Sequence, residues 1–368
     1  LRKNNIEKEL IKLSNKKNLK VDIDKKLLNE VSELVEKPKI ISCSFDKKFL
    51  EIPKEIIIIT MKHHQKYFPI FDNKENLTNN FFVVADTPDK KGLIKLGNER
   101  VVEARLSDAK FFWDQDRKTS LESRIPQLQN ITFHAQLGTM GDKVDRVRQI
   151  AVGVANTIQA NKDQVARAAQ LSKADLVTEI VTEFPEVQGI IGGYYALNDG
   201  ESKEVSQAIQ EHYAPIGPSD FCPGNPISVA VSIADKVDTL VGFWAIDEKP
   251  TGSKDPYALR RSALGVIRLI LENNLRLRLI DLFNQTWTIG DYSTDKISAI
   301  ESLLSFFYDR LIIHLREKGV RHDLITAVFA AKSDSDIIQL LERLKVLDEF
   351  LKTDIGLNLL SAYRRAVN

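Results

Sequence analysis

The chain has 368 residues, 43% hydrophobic and 28% charged, so it can bury a sizeable core and is long enough for two or three domains. Its 52 lysines and arginines balance 51 acidic residues, which excludes nucleic-acid binding through bulk charge and leaves only local basic patches. The two cysteines, Cys43 and Cys222, lie far apart, which excludes a disulfide scaffold or a cysteine-rich zinc site and indicates a reducing compartment.

The chain shows no pattern of a secreted or membrane protein. No apolar run approaches the length of a membrane span, and the start of the chain carries no signal-peptide pattern. We therefore expect a cytoplasmic protein without a membrane partner. Because the chain begins at Leu1 and stops at Asn368, just after a pair of arginines, we also expect a fragment of a longer protein.

Residues 1–125 have a mixed pattern that predicts an α+β body region. Charged amphipathic helices are predicted at residues 5–13 and 25–35. After Pro38, β-branched and aromatic runs separated by Pro, Asn and Asp predict a small antiparallel sheet. The predicted strands span residues 39–44, 55–60, 67–71 and 81–84. From Asn98 onwards the apolar spacing becomes helical.

Residues 126–368 are predicted to form a large all-helical domain, because no good strand pattern occurs after about residue 132. Loops rich in Pro and Gly are predicted at residues 215–218 and 221–225. The last helices are expected to act as a linker. The predicted helices span residues 144–158, 163–184, 202–213, 226–244, 256–272, 275–288, 294–318, 323–332, 335–351 and 357–367.

Residues 251–261 combine a turn, a predicted helix start and several cations. Asp255 can cap the helix, and Pro256 suits its first position, where a missing N–H costs nothing. Positive charge at a helix start can bind phosphate, which suggests a nucleic-acid partner. A capped surface helix with ordinary arginines explains the same pattern. The cations at the opening of this helix and along it are Lys254, Arg260, Arg261 and Arg268.

Histidines and carboxylates form no evident metal-site motif. His63 and His64 are adjacent beside a predicted strand, where neighbouring side chains face opposite ways, so both cannot bind one ion from that strand. Asp175, Glu179 and Glu183 recur every four residues, which would align them on one face of the predicted helix. A solvated acidic stripe explains them better than a metal or acid–base role.

The order of certain residues resembles that of HD-type phosphohydrolases, which hold a divalent metal on helices with a histidine, a His-Asp dipeptide and a distant aspartate. By this resemblance His134 would be the first ligand and Asp235 the last. The central dipeptide is Ala174-Asp175, and an alanine offers no lone pair to a metal. We therefore expect the HD-like fold without its metal chemistry.

Several longer segments occur together in the order typical of one family. They lie at residues 60–68, 97–101, 104–113, 136–139, 171–176, 183–189, 234–240 and 254–261, and they include TMKHHQKYF, ARLSDAKFFW and ADKVDTL. By these motifs the chain, from about Glu51 to Arg365, resembles the beta subunits of bacterial heterotetrameric glycyl-tRNA synthetases.

The resemblance implies an α2β2 ligase that joins glycine to tRNA(Gly) with ATP and Mg²⁺. In that family the class II catalytic core lies on the alpha subunit, and the beta subunit binds tRNA. The resemblance therefore implies no catalytic residue, metal or cofactor on this chain, and it implies the alpha subunit and tRNA(Gly) as partners. Most of the family's N-terminal region and its C-terminal anticodon-binding domain would be missing.

Basic residues are the natural candidates for contact with tRNA, since phosphate contacts position an RNA without reading its bases. The candidates are Lys254, Arg260, Arg261, Arg268, Arg364 and Arg365. Two other hypotheses remain. One is a metal-dependent HD-type phosphohydrolase that acts on nucleotides or phosphoesters, and the other is a scaffold whose only partner is the alpha subunit.

Overall fold

The computed structural model describes residues 1–330 and 336–367, and for Ala330, Arg364 and Val367 it describes the backbone alone. Within these ranges a small antiparallel sheet near the N-terminus is followed by a long helical region. The predicted α+β class is therefore confirmed. Among the described residues, none of the helices combines the length with the apolar character that a membrane span requires.

The chain forms two compact units. The first contains residues 1–120 and 176–194, and the second contains residues 121–175 and those from residue 195 onwards. The predicted domain division after residue 125 stays a prediction. No pattern in the sequence indicated that residues 176–194 join the first unit.

The elements up to residue 120 are, in chain order, α1 (Arg2–Lys16), β1 (Lys20–Val21), α2 (Lys25–Leu34), β2 (Lys39–Ser44), α3 (Lys54–Ile59), β3 (Phe68–Phe71), β4 (Leu77–Ala85) and α4 (Leu93–Asp116). The strands form one antiparallel sheet in the order β1-β3-β4-β2. The predicted helices at 5–13 and 25–35 and the predicted strand at 39–44 are confirmed.

Apolar side chains on both faces of the sheet hold the first unit together. Phe81 and Phe82 are adjacent on β4 and fully buried, so their rings face opposite sides of the sheet. Phe82 belongs to the core cluster that includes Ile6 of α1 and Leu28 of α2. On the other face, Phe81 stacks on Tyr67 with ring centres 5.2 Å apart.

The predicted strand at residues 55–60 is wrong. This run of isoleucines forms α3 and continues into a π-helical turn over Thr60–His64. The buried side chains are those of Ile56, Ile57, Thr60 and Met61, which share one helix face. Burial of that face overrides the β propensity of the isoleucines, since a short apolar run does not by itself distinguish a strand from a buried helix.

The elements from residue 121 onwards are α5 (Leu121–Arg124), β5 (Thr132–His134), β6 (Gly138–Thr139), α6 (Met140–Ile158), α7 (Lys162–Leu171), α8 (Glu179–Glu183), α9 (Ile190–Asn198), α10 (Lys203–Glu211), α11 (Pro226–Ala245), α12 (Leu259–Glu272), α13 (Leu279–Gly290), α14 (Lys296–Glu317), α15 (His322–Ala330), α16 (Ile337–Leu351) and α17 (Asp354–Val367). The short β5–β6 hairpin was not predicted. The predicted helix ends at Lys332 and Ser335 lie outside the described residues.

The single helix predicted over residues 163–184 is wrong. α7 ends at Leu171, a 3-10 turn spans Ala174–Val177, and α8 begins after Thr178, whose hydroxyl accepts a hydrogen bond from the N–H of Val181. Asp175 is fully buried in the 3-10 turn. The acidic stripe predicted on one solvated face therefore does not exist.

α11 is the central helix of the second unit. Asn225 caps it by accepting a hydrogen bond from the N–H of Ile227, and Pro226 occupies its first turn. Nearly every side chain from Ile227 to Ala245 is buried, as expected for a helix that is apolar on all sides. Asp235 and Asp238 on this helix are therefore buried in the middle of the unit.

Candidate functional site

Two groups of charged residues in the second unit are candidates for function. One is a buried cluster around Asp235 and Asp238, at and near the positions that resemble an HD-type metal site. The other is the basic segment that leads into α12.

Asp238 joins α11 to α6. Its carboxylate accepts hydrogen bonds from Nζ of Lys143 at 3.0 Å and from Nε of Arg146 at 2.6 Å, and its side chain is fully buried. Lys143 also donates to the hydroxyl of Thr239 at 2.8 Å. Lys143 and Arg146 lie three residues apart on α6, so both cations face the same carboxylate. These groups form a buried network of ion pairs and hydrogen bonds in the core.

Asp235 is held by two ammonium groups. Nζ of Lys143 lies 3.3 Å from its Oδ1, and Nζ of Lys173 lies 3.1 Å from the same oxygen. Burial tends to raise the pKa of Asp235, but the charges of Lys143 and Lys173 outweigh burial and hold this pKa well below its ordinary value. Asp235 is therefore a carboxylate throughout the physiological range.

Lys173 follows the end of α7 and is almost completely buried. Its Nζ also lies 3.7 Å from the centre of the Tyr213 ring, a cation–π contact that partly replaces lost hydration. Burial lowers the pKa of Lys173 to about 8, although the charge of Asp235 opposes this change. Burial also raises the pKa of Tyr213 well above its ordinary value.

Lys236 and His212 complete the cluster. Lys236 donates to the carbonyl oxygens of Tyr213 at 2.8 Å and Ala214 at 3.1 Å, and burial lowers its pKa to about 8. Its stem requires Gly265 on α12, where an added Cβ would lie 2.7 Å from Cε of Lys236. His212 donates from Nδ1 to the carbonyl of Ile209 at 2.6 Å, and burial lowers its pKa well below the ordinary value. The imidazole is therefore neutral.

The residues of the HD-like positions do not fit a divalent metal. His134 lies on β5 with its ring 5.3 Å from that of Phe243, which follows Asp235 by eight residues, or about 12 Å along α11. Ala174 is buried and offers no donor. Among the described residues no group of three His, Cys, Asp or Glu side chains could hold a metal. Around Asp235 the structure places ammonium groups instead.

We expect the titration of Lys173 to appear in the stability of the protein at alkaline pH. In the unfolded chain its pKa is near 10.5, so between pH 8 and 10.5 the unfolded state binds more protons than the folded state. The free energy of unfolding therefore rises with pH in this window, by about 3 kcal/mol at most from this residue. Lys173→Met should flatten that rise in urea titrations.

The control for this prediction is Lys162→Met, which removes an exposed lysine from the start of α7. It should keep the full pH dependence. Equal slopes for Lys173→Met and the wild type would show that Lys173 does not titrate as described.

The basic segment before α12 differs in detail from its prediction. The helix begins at Leu259, three residues later than predicted, and Ala258 before it has a left-handed backbone with φ of 55°. Asp255 still caps the helix, because its carboxylate accepts hydrogen bonds from the N–H groups of Leu259 at 2.8 Å and Arg260 at 3.0 Å. Pro256 lies in the preceding turn and is not the first helical residue.

The structure brings three of the predicted cations together at this helix start. Lys254 is exposed and closes a tight turn with Thr251 through backbone hydrogen bonds of 2.8 and 3.1 Å. Arg260 is half-buried and donates to the carbonyl of Gly252 at 2.7 Å. Arg261 is exposed. Lys254 and Arg261 therefore offer their charges to solvent, whereas Arg260 also stabilises the turn.

Arg268 has a different environment from the other predicted cations. It is 6% exposed, and its guanidinium donates to the carbonyls of Gly217 and Asp220 and to Glu272, each at 2.7 Å. These bonds hold the loop after residue 215 against α12. A guanidinium used in this way is not available to a phosphate, so we remove Arg268 from the candidate tRNA contacts.

We expect Arg268→Leu to lower the free energy of unfolding by about 2–4 kcal/mol, because two loop carbonyls and a carboxylate lose a charged donor. Affinity for tRNA should not change at a temperature where the variant is folded. Urea unfolding measures the first effect, and Arg261→Leu is the matched control that should retain full stability. A fully stable Arg268→Leu would contradict the structural role.

The last two predicted cations lie on α17. Arg365 is exposed on that helix, and the side chain of Arg364 lies outside the described residues. Their role in tRNA binding stays a prediction.

The ammonium groups of the cluster were missed from the sequence, although a signal for them exists. Lys143, Val147 and Ile150 share the spacing of a buried helix face, so Lys143 interrupts an apolar stripe. Lys236 likewise occurs within a helix that is apolar on all sides. A lysine in such a position indicates a buried, paired charge. The partner on another helix is visible only in the fold.

Comparisons with known proteins agree with these motifs. Residues 1–330 match the family described as glycyl-tRNA synthetase beta subunit. A protein named glycine–tRNA ligase beta subunit from Rhodospirillum centenum is 49% identical over 350 residues, which is 94% of this chain and 49% of that protein. One of the same name from Ruegeria sp. is 46% identical over 357 residues, 95% of this chain and 51% of that protein.

The chain thus spans about half the length of the curated relatives that it matches. The match extends through both compact units and includes the central helix α11 with its buried charges. On this evidence the chain belongs to the glycyl-tRNA synthetase beta subunit family.

Proposed function

We propose that this chain is part of the tRNA-binding beta subunit of a glycine–tRNA ligase. It supports the ATP-dependent glycylation of tRNA(Gly), whose catalytic core lies on a separate alpha subunit in an α2β2 assembly. ATP and Mg²⁺ act at the alpha subunit, and the place of action is the cytoplasm. The chain itself contributes binding and positioning of tRNA.

The family match over residues 1–330 is the observation that carries this proposal. The basic helix start supports it, because Lys254 and Arg261 are exposed beside a preformed turn. Exposed cations on a rigid element suit phosphate contacts, which fix the position of an RNA and make its binding dependent on salt. The near-zero net charge of the chain suits a limited contact area on a folded RNA.

The alternative of a metal-dependent HD-type phosphohydrolase has no support from the donor set. The dipeptide position that should hold a histidine is Ala174, and Asp235 is paired with two ammonium groups. A hydrolase of that type needs a metal to activate water and to bind the phosphoryl oxygens. We therefore keep one proposed function.

Reconstitution of glycine transfer tests the proposal. The longer subunit that contains this chain is mixed with a separately purified alpha subunit, ATP, Mg²⁺ and tRNA(Gly), and glycyl-tRNA is measured. We expect transfer only when both subunits are present. Glycine transfer by the alpha subunit alone at the full rate, or by this chain alone, would contradict the proposal that the alpha subunit catalyses the reaction and the beta subunit binds tRNA.

A mobility-shift assay separates tRNA binding from a purely structural role as a scaffold. A tRNA-binding subunit should retain tRNA(Gly) with an affinity that falls steeply as salt is raised, because counterions are released from the phosphates. A scaffold for the alpha subunit should show no affinity at any salt concentration. The second result would reject the tRNA-binding role and leave the family membership intact.

A further inference from the structure

We propose that the ammonium groups of Lys143 and Lys173 take the place that a divalent cation holds in HD-type enzymes. The two side chains carry two positive charges, and they join Asp235 on α11 to α6 and to the segment after α7. The second unit then keeps its core together without a metal. This arrangement does not depend on whether the chain binds tRNA.

The geometry around Asp235 supports the substitution. Both ammonium groups approach one carboxylate oxygen, Oδ1, at 3.3 Å from Lys143 and 3.1 Å from Lys173. The two lysine side chains are 4% and 3% exposed, so bulk water does not screen the pairs. Lys143 comes from α6 and Lys173 from the segment after α7, whereas Asp235 lies on α11. The lysines therefore crosslink three parts of the unit, as a shared metal would.

The same geometry disfavours a bound metal. A divalent ion would have to lie roughly 2.0–2.2 Å from Oδ1 of Asp235. Two ammonium groups already lie beside that oxygen, and a further double positive charge in a buried region would be repelled by both. Oδ1 of Asp235 is thus occupied by the two lysines.

Few other side chains near Asp235 could bind a metal ion. Asp175 is fully buried, and Lys173 interacts with its charge. Near Asp235, His212 presents a buried Nε2 atom that has no hydrogen-bond partner among the described residues, so this nitrogen has a lone pair to offer an ion. The experiment must therefore test directly whether a metal binds in the presence of both lysines.

Equilibrium dialysis of the whole chain against Mn²⁺ gives that test, together with thermal unfolding in EDTA and in Mn²⁺. We expect no stoichiometric Mn²⁺ and the same unfolding midpoint in both solutions. One bound Mn²⁺ per chain that is lost in Asp235→Asn, or a midpoint that rises with Mn²⁺ and falls with EDTA, would overturn the proposal. This measurement uses the wild type, so it gives a result even where variants do not fold.

A double-mutant cycle tests the crosslink itself. Asp235→Asn should lower the unfolding midpoint by several degrees, because it leaves the buried ammonium groups of Lys143 and Lys173 without their shared counter-charge. Lys173→Met should lower the midpoint less, because Asp235 keeps its contact with Lys143. The double variant should unfold at a higher temperature than the sum of the two shifts predicts. Additive shifts would show that the two residues are not coupled and would overturn the proposal. Lys162→Met, at an exposed site on α7, should leave the midpoint unchanged.

Discussion

Replacement of Asp238 by alanine will lower the free energy of unfolding of the second unit by about 3–5 kcal/mol. Asp238 is fully buried and receives both Lys143 at 3.0 Å and Arg146 at 2.6 Å. Without it, the buried ammonium of Lys143 and the guanidinium of Arg146 lose their main counter-charge. A domain is typically stable by about 5–15 kcal/mol, so the loss is a large part of the total.

The measurement is urea unfolding followed by tryptophan fluorescence. Trp113 lies in the first unit, whereas Trp244 and Trp287 lie in the second, so a Trp113→Phe background reports on the second unit alone. Asp238→Asn should lower the free energy of unfolding less than Asp238→Ala does, because asparagine retains the shape of the aspartate side chain and one oxygen with two lone pairs. Asp145→Ala, an exposed aspartate on α6, is the matched control. If Asp145→Ala and Asp238→Ala lowered the free energy of unfolding equally, the buried network would not stabilise the second unit as described.

Charge reversal at the start of α12 will weaken the binding of tRNA(Gly). In the longer subunit we expect Arg260→Glu with Arg261→Glu to lower the affinity at low salt. The slope of log affinity against log salt concentration should fall by about 1 for each phosphate contact removed. Because Arg261 is exposed and Arg260 donates to the carbonyl of Gly252, the single variant Arg261→Glu should produce most of the effect.

Mobility shift over a series of salt concentrations measures both quantities. The control is Lys162→Glu with Lys203→Glu, which changes the net charge equally at two exposed helix starts of the same unit. Unchanged binding after charge reversal would remove Arg260 and Arg261 from the interface. An equal effect of the control would assign the loss to overall charge instead of to this site.

Local patterns predicted most of the helical elements. α2, α6, α10 and α11 have polar N-cap residues followed by an apolar helical spacing, and their positions are close to those predicted. The exceptions are positions where local preference and burial disagree. The isoleucines of α3 favour a strand in isolation, yet their burial on one helix face decides the outcome. The break after Leu171 depends on capping groups and on which residues are buried around Asp175.

The candidate site was only partly visible in the sequence. Its motifs pointed to the family, and the loss of a ligand at Ala174 was evident from the residue type alone. The sequence did not predict the buried ion pairs of Lys143 and Lys173, because their partners lie about 60 to 95 residues away along the chain. Among the predicted cations, spacing could not separate Arg261, which is exposed, from Arg268, which is 6% exposed and holds a loop.

The α+β class, the family and most helix positions follow from the residue order alone, since they depend on periodicity, capping residues and motifs that lie close together along the chain. Which charges are buried and which face solvent is evident only from the packing of the folded chain. The free-energy cost of burying a charge depends on a partner a few ångströms away, and that distance is set by how α6, α11 and the end of α7 pack.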